Sequence, residues 1–271
     1  MDRGEENVLS IGKVSKLLNI PRDTLRYFEQ EGIVVPKKNA ENNYRYYNDW
    51  DINFLIEYKR YRGYGFNVGE TKQILHKDTM DDLRKRMVQN QEHIKEKLQY
   101  YQYLYQRNET YIRRLTNVEE RIGRYHLTAM PEIDYFPIRY NKQYLCREDV
   151  AQMVTKWIEY FPFVDPIFVV KKPYDEDYEC ALSFSYEYNF NFSLPHNHLI
   201  VPVRKAKAVN TVIVAGGENT FSTKLLNHTL EYMKNHGFIP DGPVIGYYLA
   251  RVHEKEGYKR YLDIFVPVKT N

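Results

Sequence analysis

The sequence predicts an α+β chain: an N-terminal winged helix-turn-helix domain, a long helix, and a C-terminal domain made of a duplicated α+β module. Three observations predict it. Two short amphipathic segments flank Asn19-Ile20-Pro21 and lead into a basic, aromatic stretch ending Tyr44-Arg45-Tyr46-Tyr47. A seven-residue apolar repeat then runs without Gly or Pro from about Asp78 to Val118. Past Gly123 the order strand, helix, strand, strand occurs twice. The expected divisions are 1–76, 77–118 and 119–271.

Taken in order, Ser10 is placed to N-cap a helix whose Ile11, Val14, Leu17 and Leu18 share a face. Pro21 bars continuation of the next helix backwards. That second helix runs from about Arg22 to Gln30, with Leu25 and Phe28 inward and Arg22, Thr24, Arg26 and Tyr27 outward. Gly32 is its stop. Helix, short turn, helix is the plan in which the second helix enters a major groove. Pro36 to Tyr47 reads as a hairpin with Lys37 and Lys38 on one side and a polar tip at Asn39–Asn43, a wing. Tyr44 or Tyr47 should pack inward, because a hairpin alternates faces. A third helix, Trp50 to Tyr64, is capped by Asn48 or Asp49 and ends near Lys59, Arg60 and Arg62. Those cations suit either the helix dipole or phosphates. Val68, Ile74 and Leu75 mark a short fourth helix.

In the long helix, Met80, Met87, Ile94, Tyr101, Asn108 and Leu115 form one column of the repeat, and Leu98, Tyr105 and Ile112 a second. That spacing predicts a coiled coil between two copies, with Asn108 fixing register. It also fits a helix lying along its own domain. A single helix-turn-helix unit reads only a half-site, so pairing suits a DNA reader. The C-terminal elements expected are a strand over His126–Tyr140, a helix over Asp149–Tyr160, and strands over Cys180–Phe192 and His198–Val203. A second round follows: strand Ala208–Ala215, helix Ser222–Asn235, strands Gly242–Arg251 and Arg260–Val268. Two such modules side by side leave a cleft between them.

Composition bounds the function. The net charge of +3 decides little, but residues 8–72 carry 11 Lys/Arg against 8 Asp/Glu, whereas residues 119–271 carry 18 against 19. The basic excess therefore lies where a nucleic-acid reader needs it. The opening MDRGEENV lacks the apolar core of a signal peptide, and no apolar run is long enough to cross a membrane. Two cysteines make no disulfide framework, which fits a reducing, cytoplasmic setting. No GxSxG, HExxH or P-loop occurs, which weakens enzyme readings. His196, His198, Cys146 and Cys180 make no converging metal set by spacing, so neither metal nor cofactor is expected. The 26 tyrosines suit a half-wet pocket or interface.

The motif residues resemble a family. Ser10-Ile11-Gly12-Lys13-Val14, Asp23-Thr24-Leu25-Arg26-Tyr27-Phe28, Gly32-Ile33, Pro36 and Asn43-Tyr44-Arg45-Tyr46-Tyr47 resemble the MerR family of transcription regulators over about residues 9–75. The chain departs at Phe28, where a second Tyr is usual, and at Ile33, where Leu is usual. The resemblance implies dimers joined by an antiparallel coiled coil. It also implies action at promoters with over-long spacing, which the dimer bends and untwists for RNA polymerase. Residues 232–238, 242–248 and 261–268 look like a GyrI-like effector-binding domain, as in multidrug-sensing members of that family. Asp263 stands where that domain usually has Glu.

The candidate DNA contacts are Arg22, Thr24, Arg26, Tyr27, Lys37, Arg45, Tyr46 and Arg60. In the last strand, alternation places Tyr261, Asp263 and Phe265 on one face and Leu262, Ile264 and Val266 on the other. A carboxylate between two aromatic rings suits a lipophilic cation. Phe265, Tyr247, Phe184, Tyr186, Tyr188 and Phe221 are the accompanying wall candidates, though an aromatic stripe at period two also fits a plain core. The expected function is a dimeric, ligand-responsive activator binding double-stranded promoter DNA and a small-molecule inducer. Two alternatives stay open: a GyrI-like hydrolase of a toxic compound fused to a DNA-binding domain, and a DNA-bending repressor that answers to a protein partner.

Overall fold

The computed structural model describes residues 8–39, 44–186, 194–217, 221–255 and 257–269. The chain divides into two units, Met1–Gln99 and Tyr100–Asn271, with the boundary inside one long helix.

The first unit holds β1 (Leu9–Ser10), α1 (Ile11–Leu18), α2 (Arg22–Gln30), β2 (Lys37–Lys38), β3 (Arg45–Tyr47), α3 (Asp49–Gly63), α4 (Val68–His76) and the start of α5 (Met80–Thr116). Asn19 takes a left-handed conformation and returns its N–H to the Ser15 carbonyl, which ends α1 two residues before Pro21. Gly32 is also left-handed (φ 65°), and it turns the chain so that the Ile33 N–H reaches the Phe28 carbonyl. Asn48 and Asn67 open α3 and α4 with reciprocal capping boxes to Asp51 and Glu70. Val14, Leu25, Ile33, Tyr47 and Leu55 are sealed in one core with Phe28 and Tyr58, whose rings lie 4.5 Å apart.

Two local expectations fail in this unit. Ser10 makes no side-chain cap bond, because it is spent as a strand residue opposite Tyr46. Leu17 points to solvent, since the core side of α1 is already filled by Val14 with Ile11 and Leu18 beside it.

The second unit takes the rest of α5, then α6 (Val118–Arg121), β4 (His126–Met130), β5 (Ile133–Tyr140), β6 (Gln143–Tyr144), α7 (Glu148–Ile158), β7 (Val164–Val170), β8 (Glu179–Ser185), β9 (Val201–Val203), β10 (Ala206–Ala215), α8 (Asn227–Asn235), β11 (Val244–Glu254) and β12 (Gly257–Pro267). Among the described residues these strands form one sheet in the order β4-β10-β12-β11-β7-β8-β5-β6, with β9 against β5. The order is close to palindromic about the β11–β7 pair. On one side β11 is followed by β12 and β10, and on the other β7 is followed by β8 and β5. Each half is strand, helix, strand, strand in sequence, so the duplicated module is a topological fact.

Its members differ from expectation in the first half. His126–Tyr140 is not one strand: Pro131 interrupts it, and β4 pairs with β10 while β5 pairs with β8, far apart in the sheet. Val164–Val170, assigned to no element by its mixed pattern, is the central strand β7. It is buried on both faces except near its start. The strand expected to reach Phe192 is described only to Ser185. Helix α8 is preceded by a 3-10 turn over Thr223–Leu226, so the helix expected from Ser222 begins at Asn227. One sheet face packs on α8 through Leu230, Met233, Leu262, Ile264 and Val266. A separate cluster joins α7 to β8 through Val150, Met153, Trp157, Leu182 and Phe184.

Candidate nucleic-acid interface and a cavity in the second unit

Leu25 and Phe28 set the roll of α2, and this turns Arg22, Arg26 and Tyr27 to the exposed side. Arg26 is held by Asp23, three residues earlier, at 2.9 Å, an exposed pair worth little in stability but enough to orient the side chain. Arg22 lies over α1: a Cβ at Gly12 would stand 3.0 Å from its Nη2. Thr24 is half-buried in a hollow with Pro21, Tyr27 and Lys59. In the wing, Lys37 faces Tyr46 and Lys38 faces Arg45 across the strand pair. Tyr46 is the central rung between Ser10 and Lys37. Tyr47, not Tyr44, packs inward, and burial followed by the charge of Glu29 pushes its phenol up to about 12.

The cations ending α3 divide. Lys59 donates to the Leu18 carbonyl at 2.8 Å, and Arg62 to the Phe66 carbonyl. Both therefore satisfy backbone acceptors. Arg60 pairs with Glu57 at 2.5 Å and lies 5.0 Å from the Tyr61 ring centroid, still largely exposed.

One residue of this surface escaped sequence reasoning. Glu29, on α2, accepts from Arg45 Nε and from Lys38 Nζ at 2.9 Å, so it ties the wing to the helix. Burial alone would raise its carboxyl pKa, but the hydrogen bonds and charges of Arg45 and Lys38 outweigh that and hold it below the ordinary value. The i, i+16 spacing gives no periodic signal.

In the second unit the ligand-wall candidates do not converge. Asp263 is 2% exposed and accepts from Arg121 Nη2 at 2.6 Å and Asn210 Nδ2 at 2.8 Å. The cation that alternation suggested for this carboxylate is therefore an internal one, from α6, and β12 is buried on both faces from Leu262 to Pro267 rather than on one. Phe265 and Tyr247 meet edge to face at 5.9 Å inside a closed cluster with Tyr135, Ile167 and Ile245. Phe184 belongs to the α7 cluster, and Tyr186 beside it donates to Asp134 at 2.6 Å. Phe221 sits in the α8 cluster against Phe168 and Tyr178. Tyr188 lies outside the described residues.

The space that could take a small molecule is elsewhere. A cavity of about 690 Å³ is lined by Tyr101, Leu104, Tyr105, Arg107, Asn108 and Tyr111 of α5, by Phe161, Pro162, Val164, Asp165 and Pro166, and by Tyr248. Its volume is within the range of small-molecule sites. Of the seven residues expected to bind ligand, the six that are described do not line it. Arg107 donates Nε to the Pro162 carbonyl at 3.0 Å and Nη2 to Asp165. Burial pushes the Asp165 carboxyl up, while Arg107 and Arg114 pull it down; the net direction is upward. Tyr111 donates to the Leu249 carbonyl at 2.7 Å, which fixes α5 against β11. The rings of Tyr101 and Tyr105, at 62% and 65% exposure, stand at the rim. Among the described residues no group of three or more His, Cys, Asp or Glu is placed to hold a metal, and no helix is long and apolar enough to cross a membrane.

Comparison with known proteins bears on the first unit. Residues 9–78 match the family described as MerR HTH family regulatory protein. "Heavy metal-dependent transcription regulator 2" of Rhizobium meliloti (strain 1021) is 36% identical over 67 residues, 25% of this chain and 46% of that protein. "HTH-type transcriptional regulator CueR" of Escherichia coli O6:H1 is 30% identical over 67 residues, 25% of this chain and 50% of that protein. The chain thus spans about half the length of the curated relatives it matches. Among solved structures, an EcmrR–DNA complex determined by cryo-electron microscopy aligns with 97% of this chain and 100% of that chain, at 17% identity and a TM-score of 0.38. Residues 9–78 of this chain are a helix-turn-helix domain of the MerR family.

Proposed function

We propose that the chain is a ligand-responsive transcription activator of MerR type that binds and distorts double-stranded promoter DNA as a homodimer. The observation that carries the reading is the first unit: a family-matched α1–α2 pair with Arg22, Arg26 and Tyr27 outward and a basic wing tied beside α2. Major-groove entry by α2 would let Arg26 and Tyr27 reach base edges, Lys37, Tyr46, Thr24 and Arg60 would serve the backbone, and Arg45 of the wing would fork onto a phosphate or a base edge. On this reading residues 1–76 read DNA, 77–118 pair two copies, and 119–271, which resemble a GyrI-like effector domain, respond to inducer.

The cavity supports a lipophilic, cationic inducer. Its aromatic walls offer π-faces, and Asp165, already paired with Arg107, puts a carboxylate in the same wall. Tyr101, Tyr105 and Asn108 line the cavity and also lie in the heptad columns, with Ile94, Leu98 and Ile112 exposed along the same repeat. A ligand that reorders those rings would therefore act on the helix that pairs two copies, and through it on the two DNA-reading units. Bending a promoter with over-long spacing would then present both elements to RNA polymerase. Run-off transcription from the chain's own upstream region, with tetraphenylphosphonium as probe, tests this. Added probe should raise transcript in wild type and not in Asp165→Asn. A protein that represses with or without probe would refute activation by a ligand.

A further inference from the structure

We infer that Glu29 is a positioning residue of the DNA interface, fixing the Arg45 guanidinium while cancelling part of the wing's positive charge. The inference rests on the DNA-binding reading above.

The wing is poorly held by its own ladder. β2 has two residues and β3 three, so few backbone bonds set its place against α2. Glu29 supplies the missing tether. Its side chain is only 14% exposed, and it engages both members of one cross-strand pair, Lys38 and Arg45. By contrast the Arg26–Asp23 pair is exposed on both sides and follows helix spacing. A part-buried carboxylate shared by two cations orders them more firmly than such a surface pair.

The chemistry of each bond separates the two roles. Arg45 is held through Nε, which fixes the plane of the guanidinium and leaves its Nη edge as the part suited to fork onto a phosphate or a guanine. Lys38 is held as a point charge. Lys38, Arg45 and Glu29 together carry a single net positive charge, where the two cations alone would carry two. Non-specific affinity scales with the cations placed on phosphates, so Glu29 lowers the sequence-independent term and sharpens the oriented one.

The test is fluorescence anisotropy with the full chain on two duplexes, one from its own upstream region and one of shuffled sequence, over a salt series. Glu29→Gln should bind the shuffled duplex more tightly and steepen the slope of log K against log salt by about one. Its preference for the upstream duplex should fall about tenfold. Arg45→Lys keeps the charge but not the fork, so it should lose the preference with the slope unchanged. A Glu29→Gln protein with wild-type slope and preference would overturn the inference while leaving DNA binding intact. An Arg45→Lys protein that keeps its preference would do the same, even if Glu29→Gln were poorly folded. A wild type that does not distinguish the duplexes would overturn the DNA-binding reading and this inference together.

Discussion

Replacing Gly246 by Ala should damage the second unit well beyond an ordinary strand substitution. Gly246 on β11 is the register partner of Phe168 on β7, and the Phe168 ring lies across the place where a Cβ would be. That Cβ would stand 1.9 Å from Cε1, 2.2 Å from Cζ and 2.7 Å from Cδ1. Carbon atoms in contact sit about 3.5–4.0 Å apart, so the ring must retreat by roughly 1.5 Å. It has nowhere to go. Phe168 is 2% exposed and meets Phe221 edge to face at 4.8 Å, with Tyr248 at 6.1 Å. Overpacking costs about 1–3 kcal/mol, and a blocked aromatic belongs at the upper end. About 3 kcal/mol corresponds to roughly 6–12 °C in a unit of this size. Thermal and urea unfolding followed by near-ultraviolet circular dichroism would measure it. Phe168→Leu should relieve the clash, so the double variant should be less destabilised than the two singles added, by about 1 kcal/mol or more. A Gly246→Ala protein within about 0.5 kcal/mol of wild type, or a strictly additive double, would refute the argument.

Three further outcomes follow from the same contacts. Arg107→Met strands Asp165 in a low-dielectric site and should cost about 2–3 kcal/mol in urea unfolding, with part recovered in Arg107→Met/Asp165→Asn. Asp263→Asn removes the negative charge opposite Arg121 while keeping one amide oxygen as acceptor, and should cost about 2–4 kcal/mol, whether or not any ligand is present. Glu29 has a lowered carboxyl pKa, so its contribution is full above the unfolded value near 4.5 and is lost as pH falls through the depressed folded value. The stability gap between wild type and Glu29→Gln should therefore be steady from pH 7 to about 5 and close below about 4.5. A gap unchanged down to pH 3 would contradict that assignment.

The N-terminal architecture was legible because local rules dominate there. Pro21, Gly32, Asn48 and the i, i+3 pair Leu25/Phe28 each dictate backbone or face without help from distant sequence. The duplicated module was legible as an order of elements, yet one of its strands was assigned to no element. Val164–Val170 contains Pro166 and is buried on both faces, so it lacks the alternation that marks a half-buried strand. The ligand site was the least legible part. Alternation correctly put Tyr261, Asp263 and Phe265 on one side of β12, but it could not show that Arg121, 142 residues away, would occupy that carboxylate. Arg107 and Asp165 were missed for the converse reason. Each looks like a solvated charge in its own segment, and only packing of α5 on the Phe161–Pro166 stretch brings them together at the cavity.

The central claim is that residues 9–78 read a specific duplex and that two copies do so together. Anisotropy titration of the intact protein on its upstream duplex and on the shuffled control, at physiological salt, tests it most directly. The account predicts a preference of about 10³-fold or more, a linear fall of log affinity with log salt, and two chains bound per duplex at saturation. Equal affinity for the two duplexes, or one chain per duplex with full sequence preference, would contradict it.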